Sequence, residues 1–124
     1  MNYDDMPAGP EMDALVAERV MGEIVSSGDK IVPVNGWEAC RYIPEYSSRI
    51  EAAWEVVEKL IERRLYMRVM ACEGIEYSFD MNIKTFWRVE LKEGQAIEPH
   101  ITATSFDTAP LAICRAALKA VDSK

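Results

Sequence analysis

The last stretch of the chain, Phe106-Asp107-Thr108-Ala109-Pro110 through Val121, constrains the fold more than any other. Asp107 or Thr108 can accept a hydrogen bond from the free backbone N–H groups of a first helical turn, and Pro110 falls where its missing N–H costs nothing. Leu111, Cys114, Ala117, Leu118 and Val121 then recur at helical spacing on one stripe, with Arg115, Lys119 and Asp122 off it. A helix with such a stripe must lie on something flat and apolar, and the alternating segments upstream supply it.

Those segments begin at Leu65. Leu65, Met67, Val69 and Ala71 alternate with Tyr66, Arg68, Met70 and Cys72, and because both sides are partly apolar the expectation is an inner strand. Glu73-Gly74 reads as a turn into a short strand over 75–81. In the following strand Trp87, Val89 and Leu91 point one way and Phe86, Arg88, Glu90 and Lys92 the other. Glu93-Gly94-Gln95 makes the next turn, and Ile97, Ile101 and Ala103 share a face of the last strand. Strands joined this tightly run antiparallel, so the fold class expected is α+β: an antiparallel meander of three to four strands with about three helices packed on it.

Two helices precede the strands. One starts at Gly9-Pro10-Glu11 and carries Met12, Leu15, Val16, Arg19 and Val20. The other starts at Ser47 or Ser48 as N-cap, with Glu51 completing a capping box, and carries Ile50, Ala53, Trp54, Val57, Leu60 and Ile61 as its apolar stripe. Between them the signals conflict. Pro33 argues against a central strand over 31–34 because it cannot donate to a ladder, and 37–46 reads as a loop anchored by Trp37, Tyr42 and Tyr46. Residues 1–8 read as a flexible leader, leaving 9–124 as a single domain.

A formal charge of −7 argues against direct binding of a nucleic-acid polymer or an anionic membrane, which need a basic surface. No apolar run reaches the roughly 20 residues of a membrane span, and no basic, apolar leader opens the chain. The odd and scattered Cys40, Cys72 and Cys114 fit reduced thiols in a cytoplasm. With His100 as the only histidine, no metal site or other cofactor is expected.

The search for chemistry yields binding features and no catalytic set. A Ser–His–Asp or Cys–His arrangement would have to use His100, no nucleophile elbow surrounds any serine, and Cys114 falls on a buried stripe where a thiol stays inert. The six glycines are scattered singly, so no phosphate loop is present. No carboxylate falls on an apolar stripe, where burial would tune it for acid–base work. The expectation is a protein that is not an enzyme. The helix starts at Ser47, Ser48 and Arg49 and at Thr108 offer hydroxyls and free N–H groups, the setting for an anion, although plain capping explains both. Trp37, Tyr42 and Tyr46 can stack on a planar ligand, and Arg88 is a second cation that alternation also explains as a solvent-facing charge. Arg63, Arg64 and Arg68 form a basic spot at the end of the second helix, where they also complement its dipole.

The tail Asp107 to Val121, the segment from Tyr46-Ser47-Ser48 through Ala52-Ala53-Trp54 to Leu60, and the opening Met12-Asp13-Ala14-Leu15 to Gly22 together resemble the phage ABA sandwich domain family, in the family's order. The resemblance implies an α-β-α sandwich from a phage or prophage, acting in the host cytoplasm, with no catalytic motif to carry over. The functions expected are sequestration of a small ligand, most concretely a nucleotide signal of host immunity. The alternatives are a module that binds and redirects a host protein, or a structural or regulatory part of the phage. A homo-oligomer is compatible with each.

Overall fold

The computed structural model describes residues 3–26, 28–75, 83–94, 101–105 and 108–122, with the side chains of 72–75, 83–85 and 105 outside that description. Helix α1 (Pro10–Leu15) runs into a π-helical turn, Val16–Val20. Three short strands follow, β1 (Ile24–Ser26), β2 (Asp29–Val34) and β3 (Trp37–Tyr42), then helix α2 (Ile50–Glu62). Strands β4 (Leu65–Ile75), β5 (Ile83–Glu93) and β6 (Ile101–Ser105) lead to helix α3 (Ala109–Asp122). The result is the expected α+β sandwich-like fold, with the six strands among the described residues in two antiparallel sheets, β1-β2-β3 and β4-β5-β6.

The larger sheet organises the core. Leu65 on β4, Val89 and Leu91 on β5, and Ile101 and Ala103 on β6 are buried on one face. Helix α3 lies on β5 and β6, α2 on β4, and both touch the π-helical turn. Helix α3 is the centre of this layer: Leu111, Ile113, Cys114, Ala117 and Leu118 are all sealed from solvent. Its cations finish the sheet. Arg115 donates to the Thr104 carbonyl at 2.8 Å and Lys119 to that of Thr102 at 3.0 Å, so outward carbonyls of the edge strand β6 are satisfied by side chains.

Three expectations need correction. Strand β4 is an edge and β5 is the centre, because β4 pairs with β5 alone among the described residues. Glu73-Gly74 is not a turn, since β4 runs through it to Ile75 opposite Ile83; the rest of 75–81 lies outside the described residues, as does His100. The conflicted region is a sheet. Asn35 and Gly36 both have positive φ, 51° and 84°, and join Val34 to Trp37 in a two-residue hairpin. Pro33 is tolerated because β1 pairs only with Asp29, Lys30 and Ile31, which leaves Pro33 at a local edge facing Glu38 alone.

The helices hold two further departures. Helix α2 buries Ala53, Val56, Val57 and Leu60 but leaves Ile50, Trp54 and Ile61 about half exposed, so the expected stripe is rotated. At the start of the chain Tyr3–Asp5 forms a 3-10 turn with Tyr3 buried. Its hydroxyl donates to Asp122 and accepts from Arg19 at 2.6 Å, which pins this segment to the last turn of α3.

Candidate functional site

The sequence-derived candidates separate into five places. Tyr46 and Ser47 are fully buried. The Ser47 hydroxyl and its backbone N–H donate to one carboxylate oxygen of Asp13, at 2.6 Å and 2.8 Å, and Gly9 N–H donates to the hydroxyl at 3.0 Å. Ser47 therefore ties α1 to the approach of α2. It does not cap α2, whose N-cap residue is Arg49 with no side-chain cap.

Asp13 itself corrects the expectation that no carboxylate enters an apolar stripe, for it is 5% exposed. Burial raises its pKa; the two bonds from Ser47 oppose that shift, and the charge of Glu45 adds to it. Burial likewise pushes the Cys114 thiol up, with Asp13 contributing, and the Tyr46 hydroxyl up, with Glu23 the largest charge contribution. Groups with reactive chemistry are thus gathered in the interior in their protonated or hydrogen-bonded forms. The sequence offers one signal for this cluster, an aspartate between Met12 and Val16, but its partner stands 34 residues away.

Trp37 and Tyr42 lie at opposite ends of β3 and are 79% and 91% exposed. They do not meet Tyr46 around a common cleft. Ser48 and Arg49 are exposed ahead of α2, where Arg49 lies 3.9 Å from both Glu45 and Glu51. The groove beside them is lined by Ile43, Pro44, Glu45, Arg49, Glu51, Ala52 and Glu55. Three carboxylates around one guanidinium give this groove the wrong sign for an anion. Thr108 acts as a cap, its hydroxyl accepting from Leu111 N–H at 3.4 Å.

Arg88 leads to a different surface. It stands on the outer face of the larger sheet, opposite the helices, and pairs with Glu90 at 3.1 Å. Tyr66 faces Lys92 across the strands, Arg68 faces Glu90 and Met70 faces Arg88. Rungs two residues apart on one face are about 7 Å apart, so Arg68, Arg88 and Lys92 ring a patch with Glu90 at its centre, a carboxylate that Arg88 already holds. At its end a shallow concavity of about 570 Å³ is lined by Arg64, Tyr66, Lys92 and Gly94. Arg64 is held there in the left-handed region, φ 60°, while its carbonyl accepts from Gly94 N–H at 2.9 Å. Arg63 leaves this group for another helix end: it donates to the Val20 carbonyl, at the end of the π-helical turn, at 2.9 Å.

Most cations elsewhere are engaged: Arg19 with Asp122, Lys30 with Glu23, Lys59 with Glu62, and Arg115 and Lys119 with carbonyls. Arg64, Arg68 and Lys92 have no side-chain partner among the described residues. A chain of net charge −7 thus collects unpaired positive charge on one face. The sequence showed this as alternation but gave no reason to join Arg64 and Lys92, which lie 28 positions apart and meet because the β4–β5 register brings them to one end of the sheet.

Among the described residues no cluster of three or more His, Cys, Asp or Glu side chains can hold a metal ion, and no helix is long and apolar enough to cross a membrane. Cys40 is free and exposed, and Cys114 free and buried.

The model of the phage ABA sandwich domain matches residues 14–118. A 2.0 Å crystal structure of a phage protein from Bacillus cereus ATCC 14579 superposes with a TM-score of 0.60 at 25% identity, covering 93% of this chain and 92% of that one. No curated protein matches the chain. Three helical blocks, the larger antiparallel sheet and a family match spanning most of the length agree: the chain belongs to the phage ABA sandwich domain family.

Proposed function

We propose that this protein is a non-catalytic phage or prophage accessory protein that binds and holds a small anionic ligand in the host cytoplasm, a nucleotide being the concrete case. The observation that carries the reading is the outer face of the larger sheet. Its unpaired Arg64, Arg68 and Lys92 supply charge for a phosphate, and Tyr66 lies among them to stack on a base. The non-catalytic part is supported by the location of Asp13, Ser47, Tyr46 and Cys114, which are sealed in the core and away from that face. A ligand held there meets donors and an aromatic surface, and the carboxylate on that face, Glu90, is already taken up by Arg88 at 3.1 Å. Holding without turnover is sequestration.

Calorimetry against a panel of cyclic and linear nucleotides tests this directly. The expected result is saturable heat for at least one phosphate-bearing compound, lost in Arg68→Ala and Lys92→Ala proteins that remain folded. A silent panel with folded wild-type protein, or turnover of a bound nucleotide, overturns the reading.

A further inference from the structure

Helix α2 has more apolar surface than the core uses. At about 100° per residue, Ile50, Trp54 and Ile61 fall within about 40° of one another around the axis, on one flank of the buried arc formed by Ala53, Val56, Val57 and Leu60. They are 47%, 53% and 47% exposed. With Val57 they follow a spacing of four, three and four residues, the pattern of a coiled-coil seam. Beyond this seam, over the next ~60° of the helix, come Glu58, Glu51, Glu62 and Glu55, all exposed. Lys59 takes up one of them, Glu62, at 3.3 Å, and Arg49 approaches Glu51.

From this arrangement we infer that the outward seam of α2 is a docking surface for a basic amphipathic helix of a partner protein, with apolar residues on Ile50, Trp54 and Ile61 and a Lys- or Arg-bearing flank on the glutamates. The charge selects the occupant. A second α2 laid on the same seam about a two-fold axis would set glutamates against glutamates, at a cost like that of other like-charge flanks in helix pairs. A basic flank meets them with complementary charge, and Trp54 is the kind of large anchor that carries binding energy. The inference is independent of the anion-binding face, since α2 lies on the opposite side of the larger sheet.

The test uses the full chain and two fluorescein-labelled synthetic helical peptides with identical leucine seams, one flanked by lysine and one by glutamate. Anisotropy is expected to show saturable binding of the lysine peptide, weaker by at least about tenfold for the glutamate peptide. Trp54→Ala and the pair Glu55→Lys with Glu58→Lys should each weaken the lysine peptide by a similar factor, whereas Arg68→Ala leaves it unchanged. Circular dichroism of each variant checks that it is folded. Ile61→Ala, which removes less surface, gives a second apolar probe if Trp54→Ala unfolds. Absence of binding, or binding insensitive to both Trp54→Ala and Ile61→Ala, overturns the inference. So does a wild-type dimer, seen by light scattering, that Trp54→Ala dissociates, for it would make the occupant a second copy of this chain.

Discussion

The two faces of the β4-β5-β6 sheet are built from the same strands and serve opposite ends. The inner face sets Leu65, Val89, Leu91, Ile101 and Ala103 against α2 and α3, and every one of them is buried. The outer face sets Tyr66, Arg68, Arg88, Lys92, Thr102 and Thr104 toward solvent. A strand alternates its side chains whatever their purpose, so the difference lies in what each face meets. Hydrophobic burial holds the first together, and unpaired charge is left available on the second.

This contrast is broken or sharpened by substitution. The largest effect is expected on the inner side: Leu91→Ala or Leu118→Ala removes fully buried atoms and should cost about 2–5 kcal/mol in denaturant unfolding, while leaving any surviving folded protein able to bind a nucleotide. Next comes Asp13→Ala, which strands the Ser47 N–H and hydroxyl in the interior and should cost about 1–3 kcal/mol.

Asp13 also gives a smaller, signed effect of pH. Its folded pKa lies above the ordinary carboxyl value, so between the two values the native state binds more protons than the unfolded state. Unfolding free energy then falls as pH rises across that interval and levels off above it. Asp13→Asn should flatten that part of a stability–pH profile measured by urea titration; a profile of unchanged slope would remove Asp13 as its source. The smallest stability effect belongs to the outer face. Arg68→Ala and Lys92→Ala should leave the unfolding free energy unchanged within about 0.5 kcal/mol, while reducing nucleotide binding.

The inner face was legible because it depends on local periodicity. Leu111 to Leu118 recur at helical spacing and Val89 and Leu91 at strand spacing, and neither pattern needs a distant partner to be seen. The small sheet is illegible for the opposite reason. Pro33 reads as a strand breaker, while Asn35-Gly36, a strong two-residue hairpin signal between Val34 and Trp37, marks the pairing that makes Pro33 acceptable. The stripe of α2 was misplaced because two apolar arcs adjoin on that helix, and only packing shows that Val56 faces inward and Trp54 outward. Asp13 is not legible in the sequence because its burial depends on Ser47, a partner that no local pattern reveals.

The same limit governs the candidate site. Arg88 was found by alternation, but Arg64, Tyr66, Arg68 and Lys92 become one surface only through the β4–β5 register. Tyr46 and Ser47, grouped with the site by proximity in sequence, belong to the core, because their polar groups lie on the inward side of the turn before α2.

The most direct measurement of the division between the faces is a titration of isotopically labelled protein with a nucleotide, followed by backbone amide and arginine side-chain resonances. Shifts confined to residues 64–70 and 86–94, with the Arg68 side chain among the most affected, are the predicted result. Shifts centred on residues 45–49, or none at any nucleotide concentration, would contradict it.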